Sequence, residues 1–318
     1  MRCCTLLCCL AVCLATPAQS AEAPRHPRAG QTVERELEHA NRKRTYRLHL
    51  PAGLRTGTSV PLMIALHGLS MDGQSMEAVT GLDDVSDRQQ FAVVYPDGLG
   101  RMWRFWERSE LGSRVLNEAG YVDDVGFIEA IIDTLVSEST VDANRVYVTG
   151  LSNGAYMSNR LAISLSGRIA AIAPVAGTMS PALAELKPPK SMPVLYIHGT
   201  DDRIVGFDGV DSITRRKSSL SAEELVAWWC KHNGCREARE KETLDRADDH
   251  CRVVKHTYPG DEAATVVFLE ISRGGHTWPD GHFQPEHFLG PVCRDFNASE
   301  EIWRFCSQHS LAEPAKSE

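Results

Sequence analysis

The chain lacks what several classes of protein require. It has no basic excess: 34 Lys and Arg stand against 42 Asp and Glu, a formal charge of -8. That excludes the positive footprint of a nucleic-acid binder. No apolar run approaches the ~20 residues of a membrane-spanning helix. There is no internal repeat and no low-complexity tract. Cys230-x4-Cys235 has no second Cys or His pair at ligand spacing, so a structural zinc site is not expected. Five of the ten cysteines crowd the first 13 residues, and the other five (Cys230, Cys235, Cys251, Cys293 and Cys306) fall in the C-terminal third.

What is present is an ordinary globular balance, 42% hydrophobic and 24% charged over 318 residues, enough for a large single core. The N-terminus has a secretory layout. Arg2 precedes the short apolar run Leu6 to Leu14, and small residues follow at Ala18 and Ser20. Cleavage is expected near Ser20/Ala21. A lipoprotein anchor at Leu10-Ala11-Val12-Cys13 is the minor alternative, because Val12 is bulky where a small residue is wanted. The expected organisation is a signal peptide over 1–20, a flexible leader over 21–40, a catalytic domain over 41–311 and a tail over 312–318. Export permits disulfides, and five remaining cysteines allow at most two bridges. The expected pairs are Cys235 with Cys251 and Cys293 with Cys306.

Along the chain, strand-like and helix-like segments alternate. Arg44 to Leu50, Leu62 to Leu66, Phe91 to Tyr95, Arg145 to Thr149, Ile169 to Val175, Val194 to His198 and Val266 to Ile271 read as strands. Phe127, Ile128, Ile131, Ile132 and Leu135 recur at helical spacing, and helices are also expected after Gly154, over Glu223 to Lys231 and over Glu300 to Ser307. This alternation predicts an α/β fold with a mostly parallel central sheet and helices on both faces. The charge-rich stretch 203–250 is expected to hold an insertion or cap.

Gly150-Leu151-Ser152-Asn153-Gly154 follows a strand and opens a helix. In that context G-x-S-x-G reads as a nucleophile elbow, whose glycines relieve crowding around an exposed Ser. A Ser nucleophile needs a base, and His276 lies in the turn Gly274-Gly275-His276-Thr277-Trp278-Pro279 after the last strand. The base needs a carboxylate to fix its tautomer. Asp201 and Asp202 directly follow the strand ending at His198. Ser, then Asp, then His is the chain order of α/β-hydrolase triads. For the oxyanion, the backbone N–H groups of Leu69, after His67-Gly68, and of Asn153 are the candidate donors. Asp123 and Asp124 open a helix and are assigned to capping. Asn297-Ala298-Ser299 is a formal glycosylation sequon that equally suits a helix cap. Trp228, Trp229 and Trp303 sit on helical stretches and are expected in the core.

The segments LMIALHG (62–68), VVYPDGLG (93–100), VDDVGFIEAIIDTL (122–135), RVYVTGLSNGAYMSNRLA (145–162), IAAIAPVAG (169–177), VLYIHGTDD (194–202) and GGHTWP (274–279) resemble the secreted polyhydroxybutyrate depolymerase and feruloyl esterase group, related to carbohydrate esterase family one. The resemblance spans roughly residues 60 to 280. It implies an α/β-hydrolase fold and ester hydrolysis without cofactor or metal. It selects Asp202 over Asp201 as the acid, giving Ser152, Asp202 and His276 as the implied triad. It suggests that Trp103 and Trp278 border the substrate, although both residues equally suit buried packing. The implied partner is a small or polymeric ester. After Asp202, Arg203-Ile204-Val205-Gly206-Phe207 replaces the prolines and tyrosine common in the group. That departure leaves the acyl and alcohol groups open. A serine peptidase of the same fold and a non-catalytic exported binding protein are the alternatives.

Overall fold

The apolar runs assemble into one sheet. A computed structural model of the chain describes residues 30–55, 57–106, 122–210, 215–237 and 240–311. The strands are β1 (Gln31–His39), β2 (Arg42–Leu50), β3 (Val60–Leu66), β4 (Ala92–Pro96), β5 (Val141–Leu151), β6 (Ala171–Val175), β7 (Val194–Gly199), β8 (Glu240–Leu244), β9 (Arg252–Tyr258) and β10 (Val266–Ser272). Their order across the ten-stranded sheet is β1-β2-β4-β3-β5-β6-β7-β10-β9-β8. The six strands from β4 to β10 in that order are mutually parallel, and antiparallel pairs flank them on both sides.

A strand buried on both faces reads as a continuous apolar run. All seven residues of β3 are buried, and successive side chains alternate between faces. Leu62 and Ile64 join Val146, Val148 and Tyr196 on one face; Met63 and Ala65 join Tyr147, Leu195 and Ile197 on the other. Helices α1 (Gly73–Thr80), α2 (Leu82–Gln89), α3 (Asp124–Ser137), α4 (Asn153–Ser164), α5 (Pro181–Ala184), α6 (Ala222–His232), α7 (Glu286–Leu289) and α8 (Ala298–Cys306), with a single 3-10 turn at Asp261–Ala263, complete the described elements. The first face is covered by Phe127 and Ile131 of α3, Leu161 of α4 and Trp229 of α6. The second is covered by Met76 of α1, Val85 of α2 and Ile302 and Trp303 of α8. The helices therefore lie on both faces, as expected.

The caps are local and strong. Asp123 accepts from the Gly126 N–H at 2.9 Å, Ser221 and Glu224 form a reciprocal capping box on α6, and Asn297 accepts from the Glu300 N–H at 3.0 Å. Asp124 goes further than capping. Its buried carboxylate meets the Arg44 guanidinium at 2.7 Å and accepts from the Arg104 N–H at 2.9 Å. The Arg44 guanidinium in turn lies over the Phe127 ring at 3.8 Å. Trp229 is fully buried and Trp303 is 9% exposed, the core positions expected of them.

Two expectations need correction. The leader assigned to 21–40 is structured from Gln31 onward, because β1 pairs with β2 along its whole length. Its pairing rests on backbone hydrogen bonds, so the polar sequence QTVERELEH gave little apolar signal. The stretch 203–250 holds no separate cap among its described residues. It carries α6, whose Leu225 and Trp229 pack on the sheet, and strand β8. The signal segment, residues 21–29 of the leader and the tail 312–318 lie outside the described residues. No helix among the described residues is long and apolar enough to cross a membrane.

Candidate active site

Strand β5 ends at Leu151 and α4 starts at Asn153, so Ser152 alone makes the turn. Its backbone sits at φ 57, ψ -116, a strained conformation for a residue with a Cβ. Three features hold it there. The Ser152 N–H donates to Val175 O at 2.9 Å, and its carbonyl accepts from Ala155 and Tyr156 at 2.8 and 3.1 Å. The flanking glycines leave the necessary room: a Cβ on Gly150 would lie 2.5 Å from the Gly154 carbonyl carbon, and one on Gly154 would lie 2.1 Å from Leu66 O. The half-buried Ser152 is thereby presented at the C-terminal edge of the sheet.

Two backbone donors flank it. Neither the Leu69 nor the Asn153 N–H donates to any acceptor among the described residues. Asn153 is the first residue of α4, where no intrahelical acceptor exists and the helix dipole is positive. Its side chain is occupied elsewhere, exchanging hydrogen bonds with the backbone of Trp103 at 2.6 and 3.2 Å. The Leu69 donor is aimed by His67. The Gly98 N–H donates to His67 Nε2 at 2.9 Å, so Nδ1 carries the proton and donates to Gly68 O at 2.8 Å. In a trans peptide the carbonyl and the following N–H point opposite ways. Pinning Gly68 O therefore turns the Leu69 N–H away from His67. Burial lowers the His67 pKa, consistent with the neutral tautomer that this pattern requires.

The acid and base come from the next strands. Asp202 follows β7 and His276 follows β10, and these strands are adjacent. His276 Nδ1 lies 2.7 Å from Asp202 Oδ2, with both residues buried. Asp201 is exposed and its N–H donates to Gly274 O, which excludes it from this contact. Asp202 Oδ1 accepts from the Ile204 and Val205 N–H groups at 2.9 and 2.8 Å. Oδ2 is also 3.3 Å from Nε2 of His198, a residue that the sequence reading did not single out. His198 Nε2 is 3.0 Å from Val205 O, so it is the protonated nitrogen, and Nδ1 accepts from the Tyr196 hydroxyl. Burial alone would raise the Asp202 pKa. The hydrogen bonds from His198 and His276 outweigh it and hold the carboxyl far below the ordinary carboxylate range. Among the described residues no hydrogen bond joins Ser152 Oγ to His276; such catalytic hydrogen bonds often form only when substrate binds.

The His276 turn is fastened from outside. Its N–H donates to Leu289 O at 2.6 Å, the Gly275 N–H to Pro291 O at 2.9 Å and the Thr277 hydroxyl to Pro291 O at 3.1 Å. The strap formed by residues 285–293 thus sets the position of the imidazole.

The two tryptophans expected to border substrate do not do so. Trp103 is fully buried, its indole N–H donating to His67 O at 3.0 Å. Trp278 is 1% exposed and its indole donates to Ser299 Oγ at 3.1 Å. Both are packed with their polar tips satisfied, so neither has free surface to offer. The aromatic surface beside the elbow comes instead from Phe105 and Tyr156, stacked at 4.7 Å and both half-buried. Tyr156 stands one helical turn after Ser152, a spacing visible in the sequence.

The expected cysteine pairs are also corrected. The sulfurs that meet are Cys230 with Cys235 and Cys251 with Cys293, not Cys235 with Cys251 or Cys293 with Cys306. Cys306 is fully buried apart from them. One group of side chains has the proximity to hold a metal ion, Asp249 with Cys251 and Cys293, and it lies outside the arrangement around Ser152.

The family described as "Esterase PHB depolymerase" matches residues 44–186. NocK of Nocardia uniformis subsp. tsuyamanensis, assigned as an esterase, is 32% identical over 265 residues, covering 79% of this chain and 75% of its own length. The bifunctional acetylxylan esterase/xylanase XynS20E of Neocallimastix patriciarum is 25% identical over 268 residues, covering 84% of this chain but 34% of its own length. Among solved structures, the acetyl xylan esterase from Aspergillus awamori superposes with a TM-score of 0.56 at 15% identity, covering 77% of this chain and 94% of that one. At that identity the superposition establishes the α/β-hydrolase fold alone.

Proposed function

This chain belongs to the PHB depolymerase family of esterases, and we propose that it hydrolyses its esters through a Ser152 acyl-enzyme, with His276 as base and Asp202 as its orienting acid. It is a carboxylic ester hydrolase of the depolymerase and feruloyl esterase type. One observation carries the mechanism: a strained Ser, near two N–H donors unengaged among the described residues, stands on the same sheet edge as a buried Asp–His pair. His276 Nδ1–H is held by Asp202, which leaves Nε2 to accept the Ser152 proton. Ser152 Oγ attacks the ester carbonyl, and the oxyanion is received by the Leu69 and Asn153 N–H groups. His276 returns the proton to the leaving alcohol. Water, deprotonated by the same imidazole, then releases the acid and restores Ser152.

The substrate we propose is a soluble ester: a feruloylated or acetylated plant polysaccharide, or a hydroxyalkanoate oligomer. The family's description and the acetylxylan esterases among its relatives support the hydroxyalkanoate and acetyl members of this range. Export is part of the proposal and is supported by the layout of residues 1–20. The test compares wild type and Ser152→Ala on p-nitrophenyl acetate and butyrate, methyl ferulate, acetylated xylan and a hydroxybutyrate oligomer. The expected result is a loss of kcat of about 10³-fold or more on whichever esters are turned over, with an unchanged melting temperature. Near-full activity in Ser152→Ala would refute the assignment.

A further inference from the structure

We propose that Cys251 and Cys293 form a disulfide that closes the base of the turn and strap carrying His276. The geometry comes first. Both sulfurs and an Asp249 carboxylate oxygen lie within 4.8 Å of one another, and the two cysteines are 4% and 1% exposed. Cys251 immediately precedes β9, whose Arg252 pairs with Ser272 at the end of β10. Residue 272 is also where the turn leading to His276 begins. Cys293 lies at the far end of the strap, and its carbonyl accepts from the Asp280 N–H at 2.8 Å. A bond between the two sulfurs therefore joins the start and the finish of segment 272–293 through one covalent link. That segment contains His276, and Leu289 and Pro291 hold it by their carbonyls.

A metal site is the competing use of these thiols, and the neighbouring carboxylate argues against it. Asp249 Oδ1 accepts from the Cys251 N–H at 2.9 Å and Oδ2 from the Arg294 N–H at 2.5 Å. Asp295, 3.8 Å from Cys293 Sγ, accepts from the Arg246 and Ala247 N–H groups. Both carboxylates are engaged in holding loops. Two thiols remain, short of the four ligands of a structural zinc site.

The chemistry balances as thiol–disulfide exchange with an oxidant of the disulfide class, such as oxidised glutathione or an oxidised dithiol protein. A hydrogen bond from Cys293 lowers the pKa of Cys251 below the ordinary thiol value, which makes Cys251 the attacking thiolate. It displaces one sulfur of the oxidant and forms a mixed disulfide. Cys293 then loses its proton and attacks the Cys251 sulfur, expelling the second sulfur. Two protein S–H bonds are broken and one S–S bond forms. The two electrons and two protons pass to the oxidant, which leaves as two thiols.

The experiment uses the full chain refolded in a glutathione redox buffer, denatured without reductant, alkylated, digested and mapped by mass spectrometry. The expected result is a cross-linked pair of peptides holding Cys251 and Cys293, with Cys306 alkylated. Full alkylation of Cys251 and Cys293, or links of Cys251 to Cys235 or of Cys293 to Cys306, would overturn the proposal. So would a metal ion bound at one per chain and released by a thiol reagent. A second measurement separates a cross-link from packing. Reductant is expected to lower the melting temperature of wild type by ~5 °C or more and to leave a Cys251→Ser/Cys293→Ser double variant unchanged. An equal effect of reductant on both proteins would overturn the proposal as well.

Discussion

Replacing Asp202 by Asn isolates the orienting role of the carboxylate from its bulk. Oδ1 already receives two backbone N–H groups, from Ile204 at 2.9 Å and Val205 at 2.8 Å. The Asn carbonyl must take that position, because an NH₂ there would face two donors. The NH₂ group then occupies the place of Oδ2, 2.7 Å from His276 Nδ1. A donor facing Nδ1 selects the tautomer protonated on Nε2. That nitrogen can no longer accept the Ser152 proton. With the shape of the site kept and the base in the wrong tautomer, kcat should fall by about 10⁴-fold, near 5.5 kcal/mol of barrier. The assay is p-nitrophenyl butyrate turnover at saturating substrate, with circular dichroism and melting temperature confirming the fold. A variant within tenfold of wild type would refute the tautomer argument and with it the role given to Asp202.

Three further outcomes are expected. His67→Ala removes the donor that pins Gly68 O, so the Leu69 N–H loses its aim; kcat should drop by roughly 10- to 100-fold with KM little changed, and an unchanged kcat would dissociate His67 from the oxyanion site. Asp124→Ala leaves the 2% exposed Arg44 side chain without its carboxylate and should cost about 3–5 kcal/mol in urea unfolding, whereas a cost below 1 kcal/mol would mean that water reaches the guanidinium. His309 is half-buried against Phe305, and burial pushes its pKa down to about 4. The unfolded chain, with an ordinary His near 6.5, then binds the proton first. The neutral ring contributes full stability above pH 6.5 and loses it as pH falls towards 4, up to ~2 kcal/mol after solvent screening. His309→Leu should remove that part of the slope between those pH values, and an identical slope in both proteins would place the acid sensitivity elsewhere.

The parallel strands were legible because their central residues are buried on both faces and so form apolar runs. The runs Leu62 to Leu66 and Val194 to His198, with their turn signals, found β3 and β7, which extend to Val60–Leu66 and Val194–Gly199. β1 and β8 were not legible, since strands such as EKETL are held by backbone pairing and carry almost no apolar pattern. The elbow, the buried acid and the turn of His276 were legible because each follows a strand that ends at one edge. His198 was missed because its role depends on a ring folding back onto Asp202, four residues later, rather than on any spacing peculiar to the chemistry. The cysteine pairs and the two tryptophans failed for a related reason. Which loop meets which, and which face of an indole is covered, depend on tertiary neighbours; the expected pairing was Cys235 with Cys251, while the sheet brings Cys251 to Cys293.

The site concentrates features that cost stability: a positive φ at Ser152, two N–H donors without acceptors among the described residues and a charged carboxylate buried beside two histidines. None of these is offset where it occurs by apolar burial alone. Each is held by hydrogen bonds from a neighbouring element: Val175 on the elbow, Gly98 through His67 on the oxyanion loop, Ile204 and Val205 on Asp202, and Leu289 and Pro291 on the His276 turn. The parallel strands bring the reacting groups to one edge, but connections outside the strands fix their directions. Those same connections carry the exposed large hydrophobic side chains of the described residues, Leu69 at 58%, Phe283 at 86% and Phe288 at 65%. On the proposed mechanism, exposed apolar surface and the orientation of the catalytic groups therefore share the same segments. On the proposed mechanism, a change in the strap that alters this exposed surface also moves His276, so turnover and substrate preference should shift together.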